Sequence, residues 1–217
     1  MSSSCPRAGA AVLGGALLVG SRLALARRDV QRVDVRVGDT VRRASVPALD
    51  RIVTYTTDLG SMYAVAGMSV ALAATGRPRL SADVLAAGSL AWVVAQQSKK
   101  GVARQRPYEA DGVRRLIRPP TGSSFPSGHA AVGMAVATVV GGRSPMRAAT
   151  PLLRAVGAYI ALSRVYVGVH YPSDVIGGAG LGLAVGSVWP GAPGSGRYRF
   201  RCLSAWIGAL PLRCLSA

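Results

Sequence analysis

Six apolar runs rich in alanine, glycine, valine and leucine recur along the chain, at residues 8–26, 54–75, 80–94, 129–140, 146–163 and 174–188, with short polar or arginine-bearing segments between them. Runs this long with so few charges must hide their surface against one another or in lipid. They predict an all-α architecture, an integral membrane helical bundle of about six helices. The balance of charge points the same way. A formal net charge of +17 would suit a nucleic-acid binder, a membrane protein with basic loops or a protein that handles anions. Yet the mean hydropathy is +0.32, and the arginines lie between apolar runs instead of along one face or tail. With no nucleic-acid-binding module and no interleaving of aromatic and basic residues, no nucleic-acid partner is expected.

The chain divides into three parts. Residues 1–53 read as a first membrane helix followed by an amphipathic interfacial segment. The run 8–26 also resembles a secretory leader, with Ala24-Leu25-Ala26 as a small-residue cleavage site, but the further spans favour a membrane helix. Residues 27–43 alternate arginine, aspartate and valine, as expected of a helix lying at an interface with its arginines solvated. Residues 54–190 form the main bundle. In the run 54–75, Gly60, Ala64, Gly67 and Ala71 permit close helix contact, and Asp58 is the polar exception. The fourth and fifth runs are short for a hydrocarbon core of about 30 Å, so their helices have to include motif or arginine-bearing residues at the ends. Residues 191–217 read as a basic, disordered tail containing the repeated pentapeptide Arg201-Cys202-Leu203-Ser204-Ala205 and Arg213-Cys214-Leu215-Ser216-Ala217. Cys5, Cys202 and Cys214 are too few and too terminal to form a disulfide framework.

The chain has 2 histidines, and each sits in a knot of reactive residue types. His129 ends Pro126-Ser127-Gly128-His129. His170 lies between Ser163-Arg164 and Asp174. Lys99 and Lys100 open a third knot that runs through Arg106-Pro107. If the six runs cross a membrane in alternation, the connections after the third and fifth helices emerge on one side, and all three knots converge there.

Such a cluster has the equipment for phosphoryl transfer, which depends on positioning and charge neutralisation. Lys99, Arg106 and Arg164 supply fixed positive charge, and arginine grips phosphate oxygens in pairs. Ser127 adds a hydroxyl, and Gly128 offers a backbone N–H at a helix start. Asp174, four residues beyond His170, can fix the tautomer of that imidazole and leave its other nitrogen to attack phosphorus. His129, beside the anion donors, is placed to protonate the leaving oxygen and then to activate water.

These residues carry a family resemblance. Lys99 to Pro107 fits KxxxxxxRP, Pro126 to His129 is PSGH, and Ser163 to Asp174 fits SRxxxxxHxxxD. Together the three resemble the signature of the type 2 phosphatidic acid phosphatase and vanadium haloperoxidase superfamily, in its small membrane-bound branch. The resemblance implies a helical acid phosphatase/haloperoxidase-like core and hydrolysis with no metal and no cofactor. It implies His170 as nucleophile, His129 as acid and base, Asp174 as the orienter of His170, and Lys99, Arg106, Ser127, Gly128 and Arg164 as phosphate ligands. The implied activity is hydrolysis of a lipid phosphate or prenyl (pyro)phosphate through a phosphohistidine.

Two other readings compete. One is a soluble-type acid phosphatase or vanadate-dependent haloperoxidase; the length of the apolar runs argues against it. The other is a non-catalytic phospholipid-binding membrane protein, which would not need His129, His170 and Asp174 intact. The expected partners are a phosphorylated lipid or prenyl substrate and the bilayer; no oligomeric state is specified. The arginines of residues 27–51 and 104–118 would turn the motif side toward the cytoplasm by the positive-inside rule. The resemblance implies the opposite for bacterial members, an extracytoplasmic site at the plasma membrane, and this is the expectation adopted. Arg104, Arg114, Arg115 and Arg118 match no motif and read as solvated or headgroup contacts. Tyr166 and Tyr171 read as interface anchors, and Glu109 and Asp111 as solvating groups of their loop.

Overall fold

Glycine spacing decides how closely the central helices approach. In the computed structural model, which describes residues 6–144 and 149–190, Gly182 packs so tightly that a Cβ there would lie 2.1 Å from the Ala131 carbonyl oxygen. One turn earlier, a Cβ on Gly178 would lie 2.3 Å from the Ser127 oxygen. Small residues four apart thus bring backbone against backbone, the arrangement that holds helices together without a large side-chain interface. The two helices so joined are α7 (Gly128–Arg143) and α9 (Pro172–Val188).

The other helices of the described residues are α1 (Pro6–Ala24), α2 (Arg28–Arg42), α3 (Pro47–Thr56), α4 (Met62–Ala74), α5 (Pro78–Lys99), the short α6 (Pro107–Ala110) and α8 (Ala149–Tyr166). α7 is apolar all round and accordingly central, with α5, α8 and α9 packed about it. Ala91 and Ala95 of α5, Ala131 and Ala135 of α7, and Leu181 and Val185 of α9 form one buried cluster. Val65, Val84, Val132 and Val136 form another between α4, α5 and α7. α1 lies along α9, where a Cβ on Gly14 would meet the Gly180 oxygen at 2.5 Å.

The chain therefore has more helices than the six runs suggest, and two expectations change. The run 54–75 is not one helix. α3 passes into a 3-10 turn at Thr57–Gly60, after which Ser61 caps α4 by accepting a hydrogen bond from the Ala64 N–H at 3.2 Å. Nor is the polar face of residues 27–43 wholly solvated, since on α2, bent 107° from α1, Asp34 is 2% exposed. α7 and α8 do take in motif and arginine residues at their ends, as their short apolar runs require. The cysteines at 5, 202 and 214, the start of the fifth run and the tail 191–217 lie outside the described residues.

Among the described residues no single helix is long and apolar enough to cross a membrane; α1 and α2 reach that composition and length only together. Large apolar side chains nevertheless line the outside of the bundle, among them Val12 and Val19 of α1, Val70 of α4, Leu90 and Trp92 of α5, and Leu152 and Leu162 of α8.

Candidate active site

The N-terminal ends of α7 and α9 and the C-terminal ends of α5 and α8 meet at one end of the bundle. Their meeting brings the three sequence knots together. Lys99, in the last turn of α5, lies within electrostatic reach of Arg106, Arg164 and Asp174, and His129 within reach of Arg164, His170, Lys99 and Arg106. Lys99 is partly buried while Lys100 is exposed, so the helical register selects the first lysine of the pair.

His170 sits in the connection between α8 and α9 and is 3% exposed. That connection turns at Gly168, whose φ of +79° favours glycine and where a Cβ would strike the Arg114 oxygen at 2.6 Å. The turn folds the chain back so that the Arg164 carbonyl accepts from the Val169 and His170 N–H groups, both at 3.2 Å. Arg164 and His170 are thereby fixed to each other through the backbone. Burial pushes the pKa of His170 down to about 3 against the opposing pull of Asp174, so the free imidazole is neutral and its lone pair is available.

Asp174 stands at the third position of α9 and is fully buried. Its Oδ2 accepts from the Tyr171 N–H at 2.8 Å and from the Ser124 hydroxyl at 2.5 Å, and lies 3.6 Å from His170 Nδ1. Ser124 Oγ is also 3.4 Å from Nδ1, so a hydroxyl stands beside both members of the pair. Nε2, on the other side of the ring, faces Arg106 Nη1 at 3.3 Å. Arg106 is 1% exposed and is held by the carbonyl oxygens of Val169 at 3.0 Å, Gly122 at 3.2 Å and Thr121 at 3.2 Å. Its guanidinium is set in place before any ligand arrives.

At this end of the bundle, the buried Ser127 Oγ and Arg164 Nε have no partner among the described residues. Ser127 occupies the N-cap of α7, where a serine hydroxyl ordinarily accepts from a backbone N–H of the first turn; here it makes no such bond. Gly128 is the first residue of α7, so its N–H belongs to the set that intrahelical bonding leaves free. Leaving a buried hydrogen-bonding group unsatisfied costs about 1–3 kcal/mol. A cluster of cations around such atoms is the configuration that a bound oxyanion relieves.

The structure adds residues that sequence reasoning missed. Arg104 is not a solvated loop arginine: it bridges Asp174 Oδ1 at 2.5 Å and Asp34 Oδ2 at 2.6 Å, and it stacks on the Tyr171 ring at 4.2 Å. Burial opposes the charge of Arg104, yet Asp174 and Asp34 hold its pKa above the usual value. Asp34 of α2 also accepts from the Ser173 N–H at 2.9 Å and from its hydroxyl at 2.5 Å. On the opposite flank Asp58 lies 3.5 Å from both His129 Nε2 and Arg164 Nη1, and Thr57 accepts from Arg164 Nη1 at 3.0 Å. Tyr166 and Tyr171 are buried and donate to Asp50 and Asp111, at 2.6 and 2.5 Å, instead of anchoring an interface. Glu109 is exposed as expected but also accepts from the Arg106 N–H at 2.9 Å. The contacts that matter span 50 to 139 positions of sequence, and no local pattern announces them.

With this geometry the chain belongs to the PAP2 superfamily, whose family model matches residues 63–193. It is a phosphatase of that class, in the all-helical fold of its family. The decaprenylphosphoryl-5-phosphoribose phosphatase of Mycobacterium tuberculosis is 38% identical over 133 residues, covering 60% of this chain and 72% of that protein. The undecaprenyl-diphosphatase of Sulfolobus acidocaldarius is 39% identical over 95 residues, 43% of this chain and 45% of that protein. Among solved structures, a transmembrane PAP2-type phosphatidylglycerolphosphate phosphatase from Bacillus subtilis superposes with a TM-score of 0.68 over 80% of this chain and 92% of its own, at 22% identity. At that identity the likeness is one of fold.

Proposed function

We propose that this chain hydrolyses a prenyl-linked phosphate or another lipid phosphate at a membrane surface, through a phosphohistidine on His170. The observation that carries the reading is the pair of buried donors without a partner among the described residues, Ser127 Oγ and Arg164 Nε, within a cluster of cations beside a neutral histidine.

His170 Nε2 attacks phosphorus as the bond to the leaving oxygen breaks, and that oxygen takes a proton from His129, which the ring acquires when the bound phosphate offsets the cations around it. Asp174 and Ser124, on the Nδ1 side, keep Nε2 free of a proton in the resting state and stabilise the charge that the ring gains. Lys99, Arg106, Arg164, Ser127 and the Gly128 N–H hold the phosphoryl oxygens and the charge developing on them. His129, now neutral, takes a proton from water, which attacks the phosphohistidine; inorganic phosphate leaves and His170 returns to its neutral form. No step calls for a metal.

The lipid reading draws on the names of the relatives and on a groove of about 340 Å³ between α1 and the end of α5. Leu18, Val19, Leu23, Val102 and Phe125 line it, and Phe125 leads directly into Pro126 and Ser127. An isoprenoid chain fits such walls. The apolar exterior supports a bundle embedded in lipid. An extracytoplasmic site at a bacterial plasma membrane is the orientation we favour. Arg104 and Arg106 are engaged inside the site and so carry little weight as topology determinants.

The deciding experiment is phosphate release by the purified full chain, with chelator present, across phosphatidate, phosphatidylglycerophosphate, a prenyl pyrophosphate and a prenyl-phosphoryl sugar phosphate. Turnover is expected to be fastest on a prenyl-linked substrate; no release from any of the four would overturn the reading. Labelling of single cysteines placed in residues 109–124 tests the orientation, and reaction only from the cytoplasmic side would reverse it.

A further inference from the structure

We propose that the end of the bundle opposite the histidines holds a second anion site, one that takes a phosphate-bearing ligand between Arg7, Arg143 and Arg154. A cavity of about 230 Å³ lies there, several times the ~30 Å³ share of one water. It is formed by the C-terminal ends of α7 and α9 and the first turns of α1 and α8. Arg143 is fourteen residues beyond His129 on α7, so at 1.5 Å per residue the two ends are about 20 Å apart.

The hydroxyls of Thr138 and Ser187 line this cavity. Both residues are nearly buried, 5% and 7% exposed, and neither hydroxyl has a partner among the described residues. A helical serine or threonine ordinarily donates to the carbonyl four residues back, so two idle hydroxyls facing one space are unusual. Arg154 Nε, also on the cavity, is buried and likewise unpartnered among the described residues. An idle hydroxyl and an idle arginine Nε are also what mark the catalytic end, at Ser127 and Arg164.

A simpler explanation is that these arginines only neutralise the carbonyl ends of α7 and α9. It accounts for Arg143, which pairs with Asp83 at 2.6 Å while Trp189 Nε1 donates to the same carboxylate at 2.9 Å. It leaves the two hydroxyls and Arg154 Nε unexplained. Among the described residues Asp83 is the carboxylate seen on this group, through Arg143, and Arg154 carries its own charge into the same space. A tetrahedral oxyanion accepts from hydroxyls and guanidiniums together, and either a lipid headgroup phosphate or free inorganic phosphate supplies one.

The test uses the full chain and three variants: Arg154→Gln, the double variant Thr138→Val with Ser187→Ala, and Arg164→Gln at the catalytic end. Inorganic phosphate is titrated by calorimetry in neutral detergent. In parallel, phosphatidylglycerol retention is read by native mass spectrometry after reconstitution in phosphatidylcholine discs containing that lipid. The expected result is an anion site that Arg154→Gln weakens at least tenfold, with turnover within about twofold of the parent, alongside a separate site lost in Arg164→Gln. A phosphatidylglycerol adduct lost in Arg154→Gln identifies a headgroup as the ligand; phosphate binding without such an adduct identifies the free anion. The hydroxyl double variant should weaken the same site while melting no lower than the parent, since it removes no internal hydrogen bond. It decides the matter should Arg154→Gln fail to fold. Phosphate and lipid binding unchanged in the variants that fold, or a single phosphate site lost only in Arg164→Gln with no Arg154-sensitive adduct, would overturn the proposal.

Discussion

The residues before the matched region and those within it contribute opposite charges to the site. Within residues 63–193 lie every proposed nucleophile, acid and phosphate ligand, together with the buried acid of the site, Asp174. Besides Glu109 and Asp111 of that region, which meet the Arg106 N–H and Tyr171, three carboxylates that face this machinery come from earlier in the chain. Asp34 of α2 meets Arg104, Asp58 of the 3-10 turn meets His129 and Arg164, and Asp50 of α3 holds Tyr166. A cluster of guanidiniums and an ammonium repels itself when no anion is bound. The early segment acts as a set of counter-charges, and the two regions are complementary instead of one being an appendage to the other.

The comparison breaks most completely where chemistry belongs to one side alone. His170→Ala should lower phosphate release at least ~10⁴-fold while the protein still reconstitutes and melts cooperatively. Activity within tenfold of the parent would remove His170 from the reaction. Next in size is the junction between the regions. Arg104→Ala leaves Asp34 and Asp174 without their shared cation, and breaking a buried pair of this kind costs about 3–5 kcal/mol. The melting temperature in detergent should fall steeply. Asp34→Asn, which keeps the hydrogen bonds to Ser173 in part and leaves Arg104 on Asp174, should fall much less. Equal losses would mean that the bridge between the regions is not what Arg104 supplies.

How much of this could be read before folding follows the same division. The motif residues could be singled out because the proposed phosphoryl transfer demands particular residue types at helix ends, and Lys99, Arg106, His129, Arg164, His170 and Asp174 do lie within reach of one another. The carboxylates were not. Asp34 sits among valines and arginines on a segment that reads as amphipathic, and only the 107° bend after α1 turns it onto Ser173. The break at Thr57–Gly60 was hidden because Gly60 fits an apolar small-residue run. Its closeness to another helix was foreseeable, since a Cβ there would lie 2.6 Å from the His129 oxygen. That Ser61 would start a new helix was not. Arg104 was misread because it differs from its loop neighbours only in what it touches.

Acidification acts on His170 through a different balance. Its folded pKa, lowered to about 3 by burial, lies below the unfolded value of about 6.5. Between those two values the unfolded chain binds a proton that the folded chain refuses, so this contribution to stability is present above about pH 6.5 and is lost as pH falls toward 3. The slope approaches about 1.4 kcal/mol per pH unit below pH 6. Unfolding measured from pH 7 to pH 4.5 should show that decline in the parent and a shallower one in His170→Gln. Parallel curves would place the acid sensitivity elsewhere.

Asp58 offers the smallest and most discriminating change, because it is two-thirds exposed and its contacts at 3.5 Å are weak. Exposed pairs contribute about 0.2–1 kcal/mol, so the effects should be roughly two- to fivefold. The direction is the informative part. Neutralising Asp58 removes a negative charge beside Arg164, which should strengthen the grip on an incoming phosphate and lower KM. The same change removes a carboxylate beside His129 Nε2, which favours the protonated ring that donates to the leaving oxygen in the proposed reaction, and so should lower kcat. Asp58→Asn is thus expected to reduce both constants together. A rise in KM with kcat unchanged would show instead that the early segment supports substrate binding alone, and that His129 works without a counter-charge from α3 and its turn.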